Sequence, residues 1–131
     1  MKEIELNFYG YTWEKYAYQI AGQPGIYIVY SGNLDPEGFV VMNRVLYVGY
    51  HKRCADILDN EIVDDLRSSL GNYDNLFFSY AVYPSEKEGK EIATLIMNSL
   101  NLNKVKLGKD KVDKKIVCKG KCELIPNEIG V

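Results

Sequence analysis

The chain has 131 residues, 16 of them basic and 18 acidic, with a net charge of −2 and a pI of about 5.4. That length supports one domain with a real core and excludes a catalytic domain carried beside a separate target-recognition domain. The acidic balance excludes indiscriminate attraction to nucleic acid, and the lack of a long apolar run excludes a membrane-spanning helix.

In chain order, residues 1–23 are tyrosine-rich and place Trp13, Tyr16 and Ile20 at helical spacing, which predicts a short helix packed on the core. The opening MKEIELNFYGYTW carries early acids and reads as no secretory signal, so a cytoplasmic location is expected. Gly25 to Tyr30 (GIYIVY) is β-branched and aromatic and predicts a strand. The turn formers of Ser31 to Gly38 lead into a second strand over Phe39 to Tyr50, antiparallel by the length of the connection. Leu58, Ile62, Leu66 and Leu70 set an i+4 stripe for a helix over Asn60 to Leu70, stopped by Gly71-Asn72. Leu76 to Tyr83 (LFFSYAVY) predicts a third strand, ended by Pro84. Ser85 to Glu88 forms a capping box, and Ile92, Leu95, Ile96 and Leu100 give the helix behind it an apolar stripe with Glu91 at its margin. From Lys104 to Lys121, eight lysines face only Asp110 and Asp113, which reads either as a phosphate-backbone surface or as a solvated basic hairpin turning at Lys109-Asp110.

Gly25-Ile26-Tyr27 opens the first predicted strand and Tyr47-Val48-Gly49 closes the second. With a side-chain period of two, each glycine shares a face with its tyrosine and leaves room beside the phenol. Taken singly, either tyrosine is equally an aromatic filler of a sheet face. The pair resembles the signature of the GIY-YIG nuclease family over about residues 24–104, leaving 1–23 as an N-terminal and 105–131 as a basic C-terminal extension of a single domain. The resemblance implies an α+β fold: a small antiparallel central sheet of about three strands flanked by helices, here with the C-terminal basic hairpin added. It also implies a helix glutamate that holds a divalent metal and an asparagine just beyond that helix, a spacing met by Glu91 and Asn103. Glu91 is otherwise a solvated carboxylate pairing with Lys87. The family's helix arginine would fall on Ile57, so Arg67, behind an insertion at Asp56 to Glu61, or Arg53 in the preceding loop would replace it.

Hydrolysis of a phosphodiester needs a base for water, a cation for the growing phosphate charge and a metal for the leaving oxygen. The resemblance casts Tyr27 as the base, an arginine on the non-bridging oxygens, and Mg²⁺ on Glu91, with Tyr47 and Asn103 orienting the water and His51, Lys52 and Arg53 along the substrate path. The expected activity is Mg²⁺-dependent endonuclease action on DNA. The alternatives are a degenerate scaffold that binds nucleic acid without cleaving it, or a zinc-stabilised interaction module. His51, Cys54, Cys118 and Cys122 supply the ligand types of a Cys₃His zinc site, whereas buried structural thiols are the default for cysteines outside a disulfide framework.

Overall fold

The computed structural model describes residues 2–13, 22–53, 65–66, 68, 75–100 and 114–130. The elements are β1 (Lys2–Trp13), β2 (Gly25–Leu34), β3 (Val40–His51), β4 (Asn75–Val82), α1 (Glu86–Ser99), β5 (Lys114–Gly120) and β6 (Glu128–Gly130). All six strands join one sheet in the order β3-β2-β4-β1-β5-β6. The pairs are antiparallel except β1 with β5, where Ile4 lies against Ile116 and Leu6 against Cys118 in parallel register. The sheet curls into a half-barrel.

Local sequence explains each element. In β1, Ile4, Leu6 and Phe8 are buried while Glu3, Glu5, Asn7 and Tyr9 are exposed, the alternation of a half-buried strand. β2 and β4 lie inside the sheet and are buried almost throughout, as their unbroken apolar runs require. β3 forms one edge, and its pairing with β2 shifts register between Val29 and Tyr30 and again between Ser31 and Gly32. Such bulges twist an edge and hinder pairing with another chain. Ser85 caps α1, its side-chain oxygen accepting the Glu88 N–H at 3.3 Å.

α1 touches β2 and β3 near one edge of the sheet and β6 at the other, so it occupies the concave face. Ile92 and Ile96 are fully buried there with Ile26, Ile28, Tyr30, Phe77, Ala81 and Ile116. Each of the two helix isoleucines contributes about 1.5–3 kcal/mol by leaving water. A second, smaller cluster of Tyr27, Val29, Leu76 and Phe78, joined by Leu46, Leu66 and Tyr80, lies on the other face.

This architecture corrects the expected α+β fold with about three antiparallel strands flanked by helices and a basic C-terminal hairpin. The protein is mostly β, with six strands in one sheet and α1 as the one helix whose bounds are described; Asp65, Leu66 and Ser68 are helical as well. The residues at the N-terminus form β1, deep within the sheet between β4 and β5. Lys114 to Gly120 is a sheet strand paired in parallel with β1, and its antiparallel partner is the short β6 at Glu128–Gly130. The physical reason is that the chain's two ends bury each other's apolar faces, a long-range pairing with no local turn signal. The helix expected over Asn60 to Leu70 lies almost wholly outside the described residues, as do the one expected over Trp13 to Ile20 past Trp13 and the turn at Lys109-Asp110. No helix among the described residues is long and apolar enough to cross a membrane.

Candidate functional site

Registers across the sheet bring tyrosines into one row. Tyr9 of β1 lies opposite Tyr80 of β4, Tyr80 opposite Tyr27 of β2, and Tyr27 opposite Gly49 of β3. Residues directly opposed in an antiparallel pair share a face, and the row stands on the convex face, away from α1. The Tyr9 and Tyr80 ring centroids are 5.6 Å apart with planes inclined by 38°. Tyr47, one step along β3, tilts against Tyr27 with centroids 6.0 Å apart. At Gly49 a Cβ would come within 2.7 Å of the Tyr27 phenol oxygen and 2.8 Å of Tyr47 Cε1, so only glycine lets these rings meet. The row grades from buried to open: Tyr27 is 2% exposed and Tyr9 56%.

The next row on this face runs His51, Gly25, Val82. His51 Nδ1 accepts the Arg53 N–H at 3.0 Å, which leaves Nε2 as the ring's remaining position for a proton or a ligand. Lys52 reaches Glu86 at 3.4 Å, with both side chains well exposed. His51 therefore adjoins the tyrosine row, whereas Lys52 is turned to the helix side.

Glu91 is elsewhere. It projects from α1 on the concave side of the sheet, where its Oε2 accepts from Lys114 Nζ at 2.9 Å, both side chains being only 13–14% exposed. The alternative reading of Glu91 as a solvated carboxylate meets a largely enclosed pair with β5. Tyr27 and Tyr47 come together, but the sheet itself stands between them and Glu91. Beside Glu91, Glu88 accepts from Lys2 at 2.8 Å and from the Tyr83 hydroxyl at 2.5 Å. The Lys2 and Tyr83 hydrogen bonds hold the Glu88 carboxyl below the usual range, and burial together with Glu88 pushes the Tyr83 phenol up to about 12. Two lysines at the starts of adjacent strands β1 and β5 thereby tie two acids of α1 to the sheet.

These positions decide how well metals fit. The Lys114 ammonium already neutralises Glu91 through Oε2, and among the described residues no group of three or more His, Cys, Asp or Glu is placed to hold a metal. The described donors therefore do not fit Mg²⁺ at Glu91. Cys118 and Cys122 are buried in the concave core, whereas His51 stands on the convex face, so these three do not converge on one zinc ion. Burial, reinforced by the neighbouring Cys122, pushes the Cys118 thiol up to about 12, as expected of a structural thiol. Arg67, Asn103 and Cys54 lie outside the described residues. In the basic segment, Lys114, Lys115 and Lys119 are each paired with an acid, respectively Glu91, Glu128 and Glu5, which leaves less positive charge there than the composition implies.

Tyr9 and Tyr80 did not emerge from sequence reasoning. The signal was present in the alternation of Glu3 to Tyr9, which puts Tyr9 on the face opposite Ile4, Leu6 and Phe8. Tyr80 lay within a predicted strand, but its neighbours required knowledge of the sheet order. The chain matches no family model, no curated protein and no solved structure.

Proposed function

We propose that this protein is a nucleic-acid-binding module that does not cleave, and that it takes a single strand by stacking bases on Tyr9 and Tyr80 at the open end of the convex tyrosine row. The observation that carries this reading is the register Tyr9–Tyr80–Tyr27, with its open end at Tyr9, its buried end at Tyr27, and His51 and Arg53 at the end of β3 beyond it. Aromatic rings presented in sequence on a sheet accept bases of any identity, because every base has a π-face. With a net charge of −2, affinity comes from stacking more than from phosphate neutralisation. If two cations contact phosphates, the slope of log K against log salt is about −1.4, shallow for a nucleic-acid binder.

A second reading, hydrolysis of the bound strand, is favoured by one observation, the contact of Tyr27 and Tyr47 around Gly49. Against it stand the burial of Tyr27 and the enclosure of Glu91 by Lys114 on the other face. Fluorescence anisotropy with a labelled thymidine 20-mer, with and without Mg²⁺, separates the two. Binding that persists in EDTA and falls by about 1–3 kcal/mol in Tyr9→Ala, with the oligonucleotide intact, supports stacking without cleavage. Mg²⁺-dependent cleavage lost in both Tyr27→Phe and Glu91→Ala would establish the hydrolase instead. No binding at low salt, or a Tyr9→Ala variant that binds like wild type, overturns the stacking reading.

A further inference from the structure

On the far side of β3 from β2, a cleft of about 360 Å³ separates the sheet edge from α1. Val48 and Gly49 line one wall, and Lys90, Ala93, Thr94 and Met97 the other. The Val48 backbone N–H points out of the sheet into this cleft, where it donates to the Met97 thioether sulfur at 3.2 Å. A thioether is a weak acceptor, so this edge donor is held by a partner that a carbonyl oxygen would outcompete. The bulges opposite Val29/Tyr30 and Ser31/Gly32 spoil the regular edge earlier in β3, and Tyr47 to His51 pairs with β2 without interruption.

Charge at the cleft is lopsided. Glu86 is shared by Lys90 at 3.0 Å and Lys52 at 3.4 Å, two ammonium groups on one carboxylate, and both lysines are well exposed. Lys90, the charged residue of the lining, thus shares its acid with a second lysine above a floor of Val48, Ala93 and Met97.

We propose that this groove receives an extended acidic peptide from a partner protein, added to the sheet as a strand along Tyr47 to His51. The peptide's carbonyl replaces Met97 Sδ on the Val48 N–H, alternate apolar side chains enter against Ala93 and Met97, and an Asp or Glu meets Lys90. Main-chain hydrogen bonds supply affinity in strand addition, and the pockets for alternate side chains supply specificity. The short regular edge limits the engaged segment to about four or five residues, which suits a linear motif more than a second copy of a twelve-residue strand with two bulges.

The test is selection of phage-displayed random decapeptides on the full chain, followed by titration of synthetic copies of the enriched sequences. Enriched peptides should alternate apolar residues and carry at least one Asp or Glu. Their addition should move the Val48 amide resonance, and N-methylation should abolish binding at every second peptide residue and spare the residues between. Lys90→Glu, an exposed change, should weaken binding tenfold or more with an unchanged circular dichroism spectrum. Met97→Leu, which removes the sulfur and keeps the volume, should bind as tightly as wild type or a few-fold tighter. No enrichment, enriched peptides indifferent to both Lys90→Glu and the N-methyl pattern, or self-association of the chain through β3 would each overturn the proposal.

Discussion

Tyr83 shows how one side chain can report on the seam between helix and sheet. Its phenol donates to Glu88, which also takes the Lys2 ammonium, so β1, α1 and the connection between β4 and α1 meet at one carboxylate. Burial is the first cause of the raised phenol and the Glu88 hydrogen bond the second. Glu88→Gln should therefore lower the Tyr83 midpoint from about 12 yet leave it above the ordinary phenol value, as read from the ring carbon resonance during a base titration. An unmoved midpoint would show that Glu88 has no part in it. The stability contributions of the two partners are lost in opposite directions of pH. A phenol raised in the folded state contributes stability below its unfolded value of about 10, lost as pH climbs through about 12. The depressed Glu88 contributes above the ordinary carboxylate value, and that contribution goes as pH falls through the lowered native one.

At the scale of elements, the seating of α1 on β3 rests on a missing side chain. A Cβ at Gly89 would overlap the ring of Tyr50, so the helix can lie this close only with glycine there. In an open helix Gly→Ala gains about 1 kcal/mol. Here Gly89→Ala should instead cost about 1–3 kcal/mol in urea denaturation, as an overpacked contact does. In a Tyr50→Ala background the same change should be neutral or stabilising, and a persistent loss there would mean that Tyr50 is not the obstacle. The helix start, the β2–β3 hairpin and β4 were legible in the sequence because their signals are local: a capping box, a run of turn formers, an unbroken apolar strand. β1 and its pairing with β5 were not, because the partners are over a hundred residues apart and parallel pairing leaves no turn to read. The same limit misplaced Glu91. Its position on the helix margin was correct, but helical periodicity does not say which face of a sheet the helix covers, and that face decides whether Glu91 meets Tyr27 or Lys114.

At the scale of the molecule, the described residues form a curled sheet with α1 in its concavity, and the two faces of that sheet are unlike. The concave side is used up by the main core and by the Lys2–Glu88 and Lys114–Glu91 ties, which fasten the pairing of the chain's ends to α1. The convex side carries a smaller cluster and a row of rings that opens toward solvent at Tyr9. The Tyr27 phenol and the Glu91 carboxylate lie on opposite sides of this division, whereas the proposed stacking on one face requires nothing from the other. The direct measurement is an amide chemical-shift titration of the full chain with an unlabelled thymidine octamer in EDTA. The account predicts saturable shifts centred on Tyr9, Tyr80, Val82 and His51, with the amides around Glu91 unmoved. Shifts centred on Glu91 and Lys114, or none anywhere, would contradict it.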